Sequence, residues 1–120
     1  MKDQYIEKLQ VVKGTIVDGE VTTSVHDVMT HETVGLDLNS CEVTGIGVRS
    51  MCTVWDDPNF IQGDEAYYYV RVVANKSCRW SHDLCLKNSE YCEESNSNIP
   101  KFIQERAWTS PIWLENSSDI

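Results

Sequence analysis

The chain has 120 residues, with 19 Asp or Glu against 10 Lys or Arg, giving a formal net charge of −9 with neutral histidines. That is one acidic domain of ordinary size, whose 41% hydrophobic residues allow a core and exclude disorder throughout. Its field repels phosphate backbones and anionic headgroups, no Lys/Arg cluster is expected that locally reverses it, and no apolar stretch nears the roughly 20 residues of a membrane span, so neither nucleic acid nor membrane is an expected partner.

The first predicted element is a hairpin. Leu9 to Val17 and Glu20 to Met29 are β-rich runs around Asp18-Gly19, the two-residue signal for a type I′ turn. That loop pairs Val17 with Glu20 and Ile16 with Val21, which puts Val12, Ile16, Val21 and Val25 on one face, the expected core side, and turns His26 to the other as a solvated strand histidine. Residues 30 to 42 read as a loop with one edge strand on the beat Val34, Leu36, Leu38. Ile46 to Trp55 alternates like a strand that Asp57-Pro58 ends. The densest β run is Ala66 to Ala74, apolar or aromatic on both faces (Tyr68, Val70, Val72 against Tyr67, Tyr69, Val73), as expected of a central strand.

Beyond it, Ser81 is placed to N-cap a short helix through about Asn88, and residues 89–98 read as a flexible polar loop in which only Tyr91 is a core residue. Residues 99–120 read as an extended C-terminal segment, since Phe102 to Trp108 favours a strand over a helical turn and Ser110-Pro111 forces an extended path into Ile112-Trp113-Leu114. The expectation is a single all-β domain over residues 1–120, a small antiparallel β-sandwich or open barrel with one short helix and an extended C-terminal tail.

Five cysteines, Cys41, Cys52, Cys78, Cys85 and Cys92, put disulfides or a metal in play, and their odd number leaves at least one outside any internal pairing. A cystine among Cys78, Cys85 and Cys92 would staple a stretch with little core of its own; the other reading is a zinc set of Cys78, His82, Cys85 and Cys92, whose spacing is irregular for such a site. Asp56, Asp57, Asp64 and Glu65 lack the ligand pattern of a calcium loop, and His26, His31 and His82 would be the ligands of a small hydrolase if there were one. No nucleophile elbow, phosphate loop or dinucleotide fingerprint occurs, so no catalytic residue, enzyme activity or cofactor is expected.

Of the four tryptophans, Trp55 and Trp80 beside predicted strands read as core. Trp108 and Trp113, flanking a proline, read with Ile112 and Arg106 as candidates for an interface or a ligand platform.

Three stretches carry a resemblance: Thr53-Val54-Trp55-Asp56-Asp57-Pro58-Asn59-Phe60, then Ala66 to Val73 with Cys78-Arg79-Trp80-Ser81, then Ile103-Gln104-Glu105-Arg106-Ala107-Trp108-Thr109-Ser110-Pro111-Ile112-Trp113. In order and spacing they resemble the C-terminal end of the large bacterial proteins grouped as domain-of-unknown-function family 3604. Members look like exported proteins whose body is similar to metal-dependent phosphoesterases of the polymerase-and-histidinol-phosphatase type. The metal motifs of that body have no counterpart here, and Leu114 stands where an aromatic residue commonly follows the tryptophan.

The resemblance implies a non-catalytic accessory segment separated from its hydrolase-like body, a periplasmic or extracellular location although Met1-Lys2-Asp3-Gln4 does not begin a signal peptide, and disulfides rather than zinc at Cys78, Cys85 and Cys92. Its expected partner is that missing body, or a second copy in a homodimer formed through the C-terminal segment. The alternative is a freestanding ligand- or carbohydrate-binding module built on the exposed tryptophans.

Overall fold

Asp18 and Gly19 both take left-handed backbone conformations, with φ of 52° and 79°, which is what a type I′ turn requires. In the computed structural model, which describes residues 4–92 and 99–115, they join β1 (Ile6–Val17) to β2 (Glu20–Thr30). Val17 pairs with Glu20, Ile16 with Val21 and Val12 with Val25, the register that the hairpin signal implies. β3 (Gly35–Asp37) and β4 (Glu42–Thr44) form a small separate hairpin, and β5 (Glu65–Cys78) is the long strand of the fold. α1 (Trp80–Lys87) follows, then β6 (Phe102–Trp108) and β7 (Ile112–Leu114).

The main sheet is antiparallel throughout, in the order β2-β1-β5-β6, with β7 also paired to β5. β5 is therefore the central strand, flanked by β1 on one edge and by β6 and β7 in succession on the other. The molecule is all-β with one short helix, and its sheets are open, not closed into a barrel. The second layer is a loop and the β3–β4 hairpin, not a full sheet. Among the described residues the buried apolar side chains are Val11, Val12, Ala66 and Val73, and the radius of gyration is 19.5 Å, against about 14 Å for a compact domain of this length.

One sheet with partial cover explains where the sequence expectations fail. Val12 is buried, yet Val21 and Val25 on the same face are exposed, because β2 is an edge strand and nothing in the described chain covers that outer half. The stretch Ile46 to Trp55 is not a strand: Val48 makes one isolated bridge to Ile6, and Ile46 and Val54 lie exposed. Its alternation belongs to an extended loop that crosses the sheet and is fastened by side chains.

Arg79, not Ser81, is the N-cap of α1, and no side chain caps that end. The helix buries no residue, so Trp80 at its start is 74% exposed and contributes nothing to a core. Tyr91 is likewise exposed, in a 3-10 turn at Ser89–Tyr91. The rest of the polar stretch, 93–98, and the last residues of the tail, 116–120, lie outside the described residues.

Asn75 is the largest fully enclosed side chain. Its N–H donates to the Tyr5 carbonyl (3.1 Å), its Oδ1 accepts from the Tyr5 N–H (2.8 Å), and its Nδ2 donates to the Lys76 carbonyl (2.9 Å). A buried amide with its groups met in this way fixes the start of β1 against β5.

Candidate functional site

The C-terminal edge of the sheet has one residue too many, and that residue decides which way its side chains point. Trp108 stands opposite Arg71 and Trp113 opposite Tyr67, so five steps on the edge (113 − 108) match four on β5 (71 − 67). The extra residue falls at Thr109 to Pro111, where Thr109 still holds the ladder: its N–H donates to the Val70 carbonyl (3.0 Å) and its hydroxyl accepts the Val70 N–H (2.9 Å). A bulge of this kind reverses the parity of everything after it. Trp108 and Trp113, five apart and otherwise on opposite faces, come to one face, while Ile112 and Leu114 go to the other.

On the tryptophan face, Tyr67, Tyr69, Trp108, Thr109, Pro111 and Trp113 line an open groove of about 320 Å³. Tyr67 and Tyr69 lie parallel, with ring centroids 6.3 Å apart and planes within 4°, and Trp113 is tilted 55° against Tyr67 at 5.2 Å. Tyr67 can lie down on the sheet because its cross-strand partner is Gly14: a Cβ on residue 14 would run into the Tyr67 ring. Trp108 and Trp113 remain 59% and 58% exposed.

Next to this groove the same face turns polar. Gln10 sits between Asp27 on β2 and Arg71 on β5 in the strand register. Its Nε2 donates to Asp27 Oδ1 and its Oε1 accepts from Arg71 Nε, both at 2.7 Å.

The opposite face is organised by Asp57. Its Oδ2 accepts from Lys13 Nζ (2.5 Å) and from the Tyr68 hydroxyl (2.6 Å), and its Oδ1 from the Asn59 N–H (2.9 Å). Burial would raise the Asp57 pKa, but these hydrogen bonds outweigh it and bring the group from 3.8 down to about 2. The bond to Asp57 raises Lys13, and burial together with that bond raises Tyr68. Trp55, half-buried, packs edge-on against Tyr68 at 6.4 Å and lies 5.1 Å from His26. His26 is thus covered by Trp55 and bonded to Ser24 (3.0 Å), not a freely solvated strand histidine. This lid and the edge strand border a cavity of about 480 Å³ that Phe60, Ile112 and Leu114 help to line.

The four candidates read from the C-terminal segment therefore divide: Arg106, Trp108 and Trp113 on one face, Ile112 on the other. Cys78 is bonded to Cys41 and Cys85 to Cys92, so Cys78, His82, Cys85 and Cys92 do not meet as a ligand set. His82 lies near Cys41 and Cys78, but its Nε2 is 2.6 Å from the Leu38 carbonyl and both sulfurs are tied up in the cystine. Cys52 is free and exposed. Among the described residues His26 and His31 join no group of metal ligands, and Asp57 is engaged by Lys13 and Tyr68, not by an acidic cluster.

Tyr67, Tyr69, Gly14 and the Gln10–Arg71 pair were not singled out from the sequence. The available signals were a glycine inside a strand run, which marks a close approach, and two tryptophans of opposite parity around a proline, which marks a bulge.

No curated protein and no solved structure matches the chain. A family model matches residues 1–116, and on that match the chain belongs to the family described as "Protein of unknown function (DUF3604)".

Proposed function

We propose that the chain is a non-catalytic accessory segment that packs on, and helps shape, a metal-dependent phosphoesterase-like body, supplied by a longer chain of the family or by a separate protein. The observation that carries this reading is the thinness of the fold: four buried apolar residues among the described ones, beside exposed Ile112, Phe60, Ile61 and Val54. A domain that completed its own core would enclose most of these groups. The lid face, with Ile112 and Leu114 at the rim of its cavity, is the docking side. The opposite face, with the aromatic groove, stays free in this arrangement. Two disulfides support a periplasmic or extracellular location, where cystines persist.

The test uses a longer family member that carries both body and segment. Removing the part that aligns with residues 1–116 is expected to leave the body aggregated or unfolded. A body that stays soluble and hydrolyses p-nitrophenyl phosphate with manganese at an unchanged rate would overturn the reading, as would metal-dependent turnover by the isolated chain.

A further inference from the structure

The acidic sequence has no run of basic residues, yet the fold gathers one from three strands. Beside the aromatic groove, on the same sheet face, a cavity of about 330 Å³ is lined by Lys8, Arg71, Lys76 and Arg106 against Glu7 and Glu32, a local balance of 4 − 2 = +2 in a chain of −9. No basic cluster is expected from the sequence, but strand register, not sequence proximity, puts these residues together. Groove and cavity adjoin, since Trp108 of the groove is the direct cross-strand partner of Arg71 of the cavity.

We propose that this face binds an anionic saccharide, its pyranose rings on Tyr67, Tyr69, Trp108 and Trp113 and its acid groups, carboxylate or sulfate, at Arg71 and Arg106. A pyranose has an apolar face of C–H groups, which a wide, shallow aromatic surface accepts, and a rim of hydroxyls, which the neighbouring Thr109 hydroxyl and the Gln10–Asp27 pair are placed to meet. Arg71 is oriented through its Nε by Gln10. Among the described residues its terminal nitrogens carry no acid partner, nor does Arg106, whereas Lys8 is held by Glu32 at 3.0 Å and Asp27 at 3.8 Å and Glu7 is engaged by Gln104 at 2.8 Å. The unspent guanidinium donors are the groups that grip carboxylates and sulfates in a planar fork. A long polyphosphate would meet the acidic remainder of the surface; a short saccharide with a few charges need not.

The experiment titrates the full 120-residue chain by calorimetry at low salt with tri-galacturonic acid, with a sulfated galactose trisaccharide, and with neutral maltotriose. Saturable binding of either acidic trimer, at least tenfold tighter than maltotriose and weakened by added salt, is expected, and the two acidic arms tell carboxylate from sulfate. Arg106→Gln, a change at an exposed edge position, is expected to weaken it about tenfold, the loss of one charge-assisted bond. Trp113→Ala is expected to abolish it, with circular dichroism confirming the fold of both variants. Failure of both acidic trimers to bind, equal affinity for maltotriose, or an unchanged affinity in Arg106→Gln would overturn the proposal.

Discussion

Gly14 on β1 and Tyr67 on β5 stand directly opposite, and the Tyr67 ring fills the place that a Cβ on residue 14 would take. The floor of the aromatic groove therefore depends on the lack of a side chain in the neighbouring strand, a use of glycine in which the aromatic neighbour supplies the packing that glycine cannot. Gly14→Ala is expected to push the ring off the sheet and cost about 1–3 kcal/mol, as overpacked sites do. Urea unfolding measures the cost, and a variant as stable as the parent with an unchanged Tyr67 environment would refute the arrangement.

Asp57 ties the pH response of the lid to acid. Its folded pKa of about 2 lies below the ordinary 3.8, so between these values the unfolded chain binds more protons and stability falls as pH falls. Trp55 fluorescence is expected to report loosening of the lid below about pH 4, and Asp57→Asn should remove that transition. The same substitution leaves Lys13 without its partner, its side chain being only 10% exposed in the pair, at a cost of about 3 kcal/mol. An acid transition of the same midpoint in Asp57→Asn would show that another carboxylate is responsible.

The two cystines close loops of different length, 37 residues for Cys41–Cys78 and 7 for Cys85–Cys92. Loop-closure entropy alone makes the first worth about 4 kcal/mol and the second about 2.4 kcal/mol. Paired Ser substitutions followed by thermal unfolding should reproduce this order, with the long bridge the more costly to lose. Equal losses, or a free Cys41 in non-reducing peptide maps, would count against the connectivity.

Deleting Ser110 removes the extra residue of the edge strand. Trp108 and Trp113 are then four residues apart, matching the four from Arg71 to Tyr67, and uninterrupted two-residue alternation keeps both tryptophans on one face. Ring-to-ring nuclear Overhauser contacts between Trp113 and Tyr67, 5.2 Å apart in the parent, are expected to persist; their loss would mean that the residue at 110 does more than take up the extra step.

In isolation the lid face lacks its proposed cover, and self-association is the simplest substitute. Sedimentation over a concentration series is expected to show a dimer that Ile112→Asp, at a 69% exposed position, converts to monomer with little change in stability. A strict monomer at all concentrations would remove self-association from the properties of this chain.

Local signals in the sequence determined the elements that rest on local causes. Asp18-Gly19 set the first hairpin and its register from Val17–Glu20 out to Gln10–Asp27, where a one-residue shift intervenes, because a type I′ turn fixes which residues pair beside it. The run from Ala66 to Ala74 declared a central strand by being apolar on both faces, and Ser110-Pro111 kept the tail extended by forbidding helix. What depended on distant partners was not legible. Period-2 alternation at 46–55 suits a strand and an extended lid equally, and the Lys13–Asp57–Tyr68 bonds, between residues 44 and 11 positions apart, decided for the lid. Trp80 looked like core from its neighbours, but its helix buries none of its residues. The groove needed the most tertiary information: one bulge to bring Trp108 and Trp113 to a common face, one glycine across the sheet to let Tyr67 lie down, and three strands in register to set Arg71, Arg106 and Lys8 beside them. Each of those facts is a pairing between strands, and pairing is fixed by where the whole chain finds cover, not by the residues on either side.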